Sequence, residues 1–186
     1  MSFLKKRAVC AVLAAAMALS FTACGGNEGG EEAEAEYTYA EQGGSISLPE
    51  GLAAPEENGS TNTLLEAGQL SGRFTAVNYT ATGYFTHSGS VTVTVSGESS
   101  QEGTQWTDAF ISLWKQGENS TQYIESVHFT LDGSPYTYTF NGLDTAAQYR
   151  VTLTYNDVPR YKMTGEYAIT GVVAEQAEEG ATGQEA

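Results

Sequence analysis

Between residues 90 and 96 valines alternate with threonines: Val91, Val93 and Val95 fall on one parity, Thr92 and Thr94 on the other. Successive strand side chains point to opposite sides, so this pattern fits a β-strand with one face in a core and the other in water. The pattern recurs. Residues 108–115 set Ala109, Ile111 and Leu113 against Phe110, Ser112 and Trp114, and residues 123–131 put Val127, Phe129 and Leu131 on one face. Tyr136, Tyr138 and Phe140 alternate with Thr137 and Thr139, and residues 148–155 repeat the scheme with Tyr149, Val151, Leu153 and Tyr155. Further strands are expected at 73–79, 83–87 and 166–172. Residues 97–103 read as a polar loop, and Gly117-Glu118-Asn119-Ser120 and Asp132-Gly133-Ser134-Pro135 as turns. No amphipathic helix of useful length interrupts them. The expectation is an all-β fold, a single antiparallel β-sandwich over residues 68–173, prealbumin-like or immunoglobulin-like in type.

The flanks differ in composition. Residues 24–67 are rich in Glu, Gly, Ala and Ser, with no Lys or Arg, and residues 174–186 are acidic again. Such segments cannot bury enough apolar area to offset the entropy of ordering, and like charges keep them extended. They are expected to be a flexible linker and a disordered tail. Two short islands interrupt the linker, Tyr37-Thr38-Tyr39 and Ile46-Ser47-Leu48; each is readable as a transient strand, a docking peptide or plain tether. The formal net charge is −15. Nucleic acid is therefore an unexpected partner, because phosphate binding needs clustered Lys and Arg.

Residues 1–23 have the build of a leader: Lys5, Lys6 and Arg7, then an apolar run from Ala8 to Phe21 too short to span a membrane, then small residues. The stretch Leu19-Ser20-Phe21-Thr22-Ala23-Cys24-Gly25-Gly26 resembles the lipobox of bacterial lipoproteins. That resemblance implies cleavage before Cys24, lipidation of Cys24 with a two-chain lipid, and an extracytoplasmic protein anchored at the cell membrane. An ordinary secretory signal cut after Ala23 is the alternative. Either way Cys10 is lost with the leader, the net charge moves from −15 to −18, and no disulfide or Cys-based metal site is expected downstream.

Within the sandwich, Asp108-Ala109-Phe110-Ile111-Ser112-Leu113-Trp114-Lys115-Gln116-Gly117 is similar to a strand of collagen-adhesin B-type repeats, and Tyr136-Thr137-Tyr138-Thr139-Phe140-Asn141-Gly142-Leu143 to another. Tyr149 to Tyr155, followed by Val158-Pro159-Arg160-Tyr161, looks like a third. The resemblance implies a prealbumin-like stalk or spacer. Many such repeats carry a Lys–Asn crosslink; Val95 stands where the lysine would be, so its absence is expected. Leu143-Asp144-Thr145-Ala146-Ala147-Gln148-Tyr149 also has the spacing of the fibronectin type III tyrosine corner, in which the tyrosine hydroxyl caps a backbone group. Both resemblances make Tyr149 structural.

Catalytic and metal constellations are not evident. His128 lies opposite Val127 and Phe129 in parity and is expected to be solvated; His87 is the only other histidine. The acids Glu98, Glu102 and Asp108 have no fixed spacing, and Asp132, Asp144 and Asp157 fall in turns without calcium-loop spacing. The candidate binding patch is aromatic: Trp106, Phe110 and Trp114. Phe110 and Trp114 stand on the outer face if Ile111 and Leu113 face the core, and exposed aromatics in a row mark a partner. The competing reading packs Trp114 at an edge or under the strands of residues 73–87. The function expected is a non-enzymatic, lipid-anchored surface module with a structural or adhesive role, contacting the membrane through its lipid and an extracellular protein or polysaccharide, with no cofactor. The alternative is a carbohydrate-binding accessory lipoprotein or a small glycan-active protein.

Overall fold

A computed structural model describes residues 37–65, 67–100, 107–155 and 161–173. The leader, Cys24, Trp106, residues 158–160 and the tail 174–186 lie outside them. The described residues form two antiparallel sheets packed face to face. One has the order β1 (Glu41–Gln42), β8 (Asp132–Phe140), β5 (His87–Ser99), β10 (Met163–Val172), β3 (Gln69–Ala76), β2 (Gly59–Leu65). The other has the order β4 (Tyr79–Ala81), β9 (Tyr149–Tyr155), β6 (Asp108–Gln116), β7 (Thr121–Thr130). The all-β sandwich expected from alternation is the fold observed.

The inward parities are those read from the sequence. Val91, Val93 and Val95 meet Ile111, Leu113, Val127 and Phe129 across the interior, with Phe74, Phe85, Phe140, Tyr167 and Ile169 filling the space between sheets. Each such side chain contributes about 1.5–3 kcal/mol by leaving water. The Tyr167 ring fits because its register partner is Gly72, where a Cβ would run into the ring and the Thr61 carbonyl.

Several boundaries differ from expectation. Residues 97–99 continue β5 beyond the expected loop start, and β8 begins at Asp132, so the expected turn there is strand and the chain passes from the smaller sheet to the larger at Leu131. The strand expected at 73–79 ends at Ala76, and the chain moves to the opposite sheet as β4. The linker segment differs most. Residues 37–40 lie along β7 as a parallel bridge, Glu41 and Gln42 pair with β8, and β2 is the far edge strand of the same sheet as β8. Between β1 and β2 the chain crosses the outer face of the six-stranded sheet. Gly43 donates to the Pro135 carbonyl (2.8 Å), and the Ser47 carbonyl accepts from Ser71 Oγ (2.8 Å). The backbone pairs with strands here because the Tyr-x-Tyr island supplies the same alternation, weak in isolation, to an edge already formed.

Residues 43–58 thus lie over the larger sheet. The smaller sheet keeps its outer face, and that face holds Phe110 and Trp114.

Candidate functional site

The register of the four-stranded sheet sorts its outer side chains into three rows. Tyr79 on β4, Thr154 on β9, Phe110 on β6 and His128 on β7 are successive partners, and Tyr39 bridges to His128 from the N-terminal segment. Two residues along, Ala81, Thr152, Ser112 and Ser126 form a row of small side chains. The third row is Arg150, Trp114 and Tyr123, with Tyr84 packed on the Arg150 guanidinium (5.2 Å to the ring centroid). Two aromatic rows therefore flank a strip of short hydroxyl side chains.

The rings are held by specific neighbours. Trp114 Nε1 donates to Thr152 Oγ1 (3.0 Å), and its indole meets Tyr123 edge-on (5.4 Å between centroids). Tyr84 Oη lies 3.0 Å from Thr121 Oγ1. Phe110 lies against His128 (4.2 Å), which Tyr37 (4.6 Å) and Tyr39 (5.0 Å) cover as well. The strip beneath is satisfied internally: Ser112 and Ser126 hydroxyls are 2.8 Å apart, and Thr152 takes the indole N–H. Phe110 and Trp114 are half-buried, whereas Tyr37, Tyr39 and Tyr123 are 61%, 62% and 52% exposed. Rings fixed by their neighbours bind at low entropic cost, and tyrosine adds a polar tip to an apolar body.

One sequence expectation is corrected here. His128 does oppose Val127 and Phe129, but it is only 6% exposed, because three aromatic rings close over it. Its Nδ1 lies 2.9 and 3.1 Å from the two Asp108 carboxylate oxygens, a geometry that suits an N–H on that nitrogen. A histidine so enclosed is placed to support rings, since a general base needs contact with the proton it removes. Trp114 stands on β6, an inner strand between β9 and β7, half-buried with its indole N–H on Thr152.

The strongest signal missed in sequence is Tyr123. By parity it shares a face with Val127, yet a bulge pairs Leu113 with Glu125 and Trp114 with Tyr123, which moves Tyr123 to the outer face. Of the acids considered for other roles, Asp108, Asp132 and Asp144 are already engaged, and Glu102 and Asp157 lie outside the described residues. Asp108 holds His128, and Asp132 accepts from the Ser134 N–H (2.9 Å) and Tyr136 Oη (3.0 Å). Asp144 pairs with Lys115 Nζ (2.8 Å), and that hydrogen bond holds its carboxyl below the usual range while raising the amine. Among the described residues no group of three or more His, Cys, Asp or Glu side chains gathers to hold a metal. Tyr149 meets its expectation as a corner residue: its hydroxyl accepts from the Asp144 N–H (3.2 Å).

No protein-family model matches the chain, and no curated protein matches it. Among solved structures it is similar to a carbohydrate-binding module, CBM36, in complex with calcium and xylotriose (12% identity, TM-score 0.29, 69% of this chain and 91% of that one). It is also similar to the CBM36-1 domain of a multidomain xylanase from the hindgut metagenome of Trinervitermes trinervoides (16%, 0.30, 73% and 90%). A CBM4 module is a third (8%, 0.27, 61% and 76%). These three are carbohydrate-binding modules, and the adhesin-repeat resemblance finds no support among them. At these scores the likeness carries no argument about a ligand or its site.

Proposed function

We propose that this chain is a non-catalytic polysaccharide-binding module, held at the outer face of a cell membrane by a lipid on Cys24. The ligand lies on the outer face of the four-stranded sheet. The observation that carries this reading is the pair of aromatic rows, Tyr79, Phe110 and Tyr39 (with Thr154 between the first two and His128 beneath the last two) and Tyr84, Trp114 and Tyr123 (with Arg150 under Tyr84), on the sheet face that residues 43–58 leave uncovered. Sugar rings present C–H faces that stack on aromatic side chains. Adjacent strands are about 4.8 Å apart, close to the length of one sugar in an extended chain, so a row across the sheet offers successive contacts to successive units. The tyrosine hydroxyls, Arg150 and the partly exposed Asp108 supply polar contacts at the margin. Without the leader the net charge is −18 (−15 less Lys5, Lys6 and Arg7), which repels polyanions, so the ligand is an uncharged, extended glycan.

Native gels containing hydroxyethyl cellulose, arabinoxylan or polygalacturonate test this. A neutral polymer should retard the mature protein and polygalacturonate should not. Tyr123→Ala should relieve the retardation without lowering the melting temperature by more than a few degrees. Retardation by no neutral β-linked polysaccharide, with capture on a matrix-protein array instead, would replace this reading with protein adhesion. Mass spectrometry of the membrane fraction tests the anchor: a diacylglyceryl adduct on Cys24 is expected, and an unmodified cysteine ends that part of the proposal.

A further inference from the structure

The aromatic face is built from two parts held very differently. Phe110, Trp114 and Tyr123 stand on β6 and β7. Tyr37 and Tyr39 stand on a short edge segment. It is tied to β7 by two backbone bonds, Ala40 N–H to the His128 carbonyl (2.8 Å) and His128 N–H to the Thr38 carbonyl (2.9 Å). Its continuation is tied to β8 by the two pairs of β1, by Gly43 N–H to Pro135 (2.8 Å) and by Thr137 Oγ1 to the Gly43 carbonyl (2.7 Å). Between residues 37 and 42 only Ala40 is buried in the core. A segment with so little buried apolar area, bonded only at sheet edges, opens at far lower free energy than the strands within the sheets.

We infer that Tyr37 and Tyr39 are the dockable half of the glycan site, so that the ligand and residues 37–42 hold one another in place. This rests on the polysaccharide reading. A glycan lying along the first row touches Phe110 and Tyr79 on the fixed strands and Tyr39, then Tyr37, on the segment. It therefore binds the docked state more tightly than the open one, and it stabilises docking by the same factor that docking improves its affinity. The segment also decides how long a glycan the site reads. Docked, the row crosses four strands and the segment; open, it ends at His128, which loses two of its three covering rings. A pull on the chain ahead of Tyr37 removes these contacts before any full strand is disturbed.

The test uses the full mature chain with cellohexaose and hydroxyethyl cellulose as probes, and follows amide hydrogen exchange at Ala40 and His128. Bound probe should slow both amides about fivefold or more. Ala40→Pro, which removes the N–H donated to His128, should speed exchange at His128 without probe and weaken affinity about fivefold or more. Tyr37→Ala with Tyr39→Ala removes two largely exposed rings that also cover His128, and should weaken affinity by a similar factor with a fall in melting temperature of only about 4 °C or less. Tyr123→Ala should weaken affinity while leaving exchange at His128 in the free protein as it is in wild type. If wild type binds and Tyr123→Ala weakens binding, but the double tyrosine variant binds like wild type and probe leaves both amides unchanged, the docking inference falls and the polysaccharide reading stands. If wild type binds no neutral glycan, both fall together.

Discussion

Trp114 is the residue on which fold and function can be separated by measurement. Truncating a fully buried tryptophan to alanine costs about 3–5 kcal/mol. Trp114 is half-buried, its ring resting on Thr152 and against Tyr123, so about half of that, roughly 2 kcal/mol, is at stake in packing. The hydrogen bond from Nε1 to Thr152 adds about 1 kcal/mol, since Thr152 is buried and water does not readily replace the donor. For a domain of this size about 1 kcal/mol moves the midpoint by about 4 °C, so Trp114→Ala should melt about 12 °C lower. Trp114→Phe keeps a ring against Tyr123 and loses the hydrogen bond, for about 4 °C. In native gels with hydroxyethyl cellulose the alanine variant should lose retardation and the phenylalanine variant should keep most of it. Calorimetry and gels on the two proteins decide. A fall of more than about 20 °C for the alanine variant would make Trp114 a core residue. A folded alanine variant that binds like wild type would remove it from the site.

Three further outcomes follow from the structure. Tyr149→Phe removes the hydroxyl that accepts from the Asp144 N–H and should cost about 1 kcal/mol by denaturant titration, with binding intact. Burial of His87 depresses its pKa, so the unfolded chain takes up its proton at higher pH than the folded one. Stability should therefore fall as pH drops from about 6.5 through the lowered folded value, and His87→Asn, which keeps an acceptor for the Gly89 N–H, should flatten that slope in melts across pH 4–8. Lys115 and Asp144 favour their charged forms, the opposite of the neutral amine and protonated acid that amide formation needs. The intact mass of the purified protein should show no loss of water or ammonia.

The sandwich was legible because its evidence is local. Each strand from β5 to β10 carries its own parity, and parity alone separates Ile111 and Leu113 from Phe110 and Trp114 whatever the neighbours are. The corner at Tyr149 was legible for the same reason, since donor and acceptor lie five residues apart. Charge and the absence of clustered bases likewise bounded the ligand classes without any knowledge of the fold.

The site was not legible, because rows across a sheet are relations between strands far apart in sequence. Nothing near Tyr79 says that it lines up with Phe110, and nothing in residues 121–130 reveals the bulge that carries Tyr123 from the core parity to the outer face. His128 reads as solvated until Phe110, Tyr37 and Tyr39 arrive from two other parts of the chain to cover it. Residues 37–65 read as linker because their own apolar content is too small to order them. They are ordered by edges that other strands create, where a preformed row of backbone donors and acceptors stabilises pairing that the segment could not nucleate by itself. The sequence by itself determined which side chains face in and which face out along the strands, except beyond the bulge in β7. Tertiary structure alone decided which of the outward ones stand together.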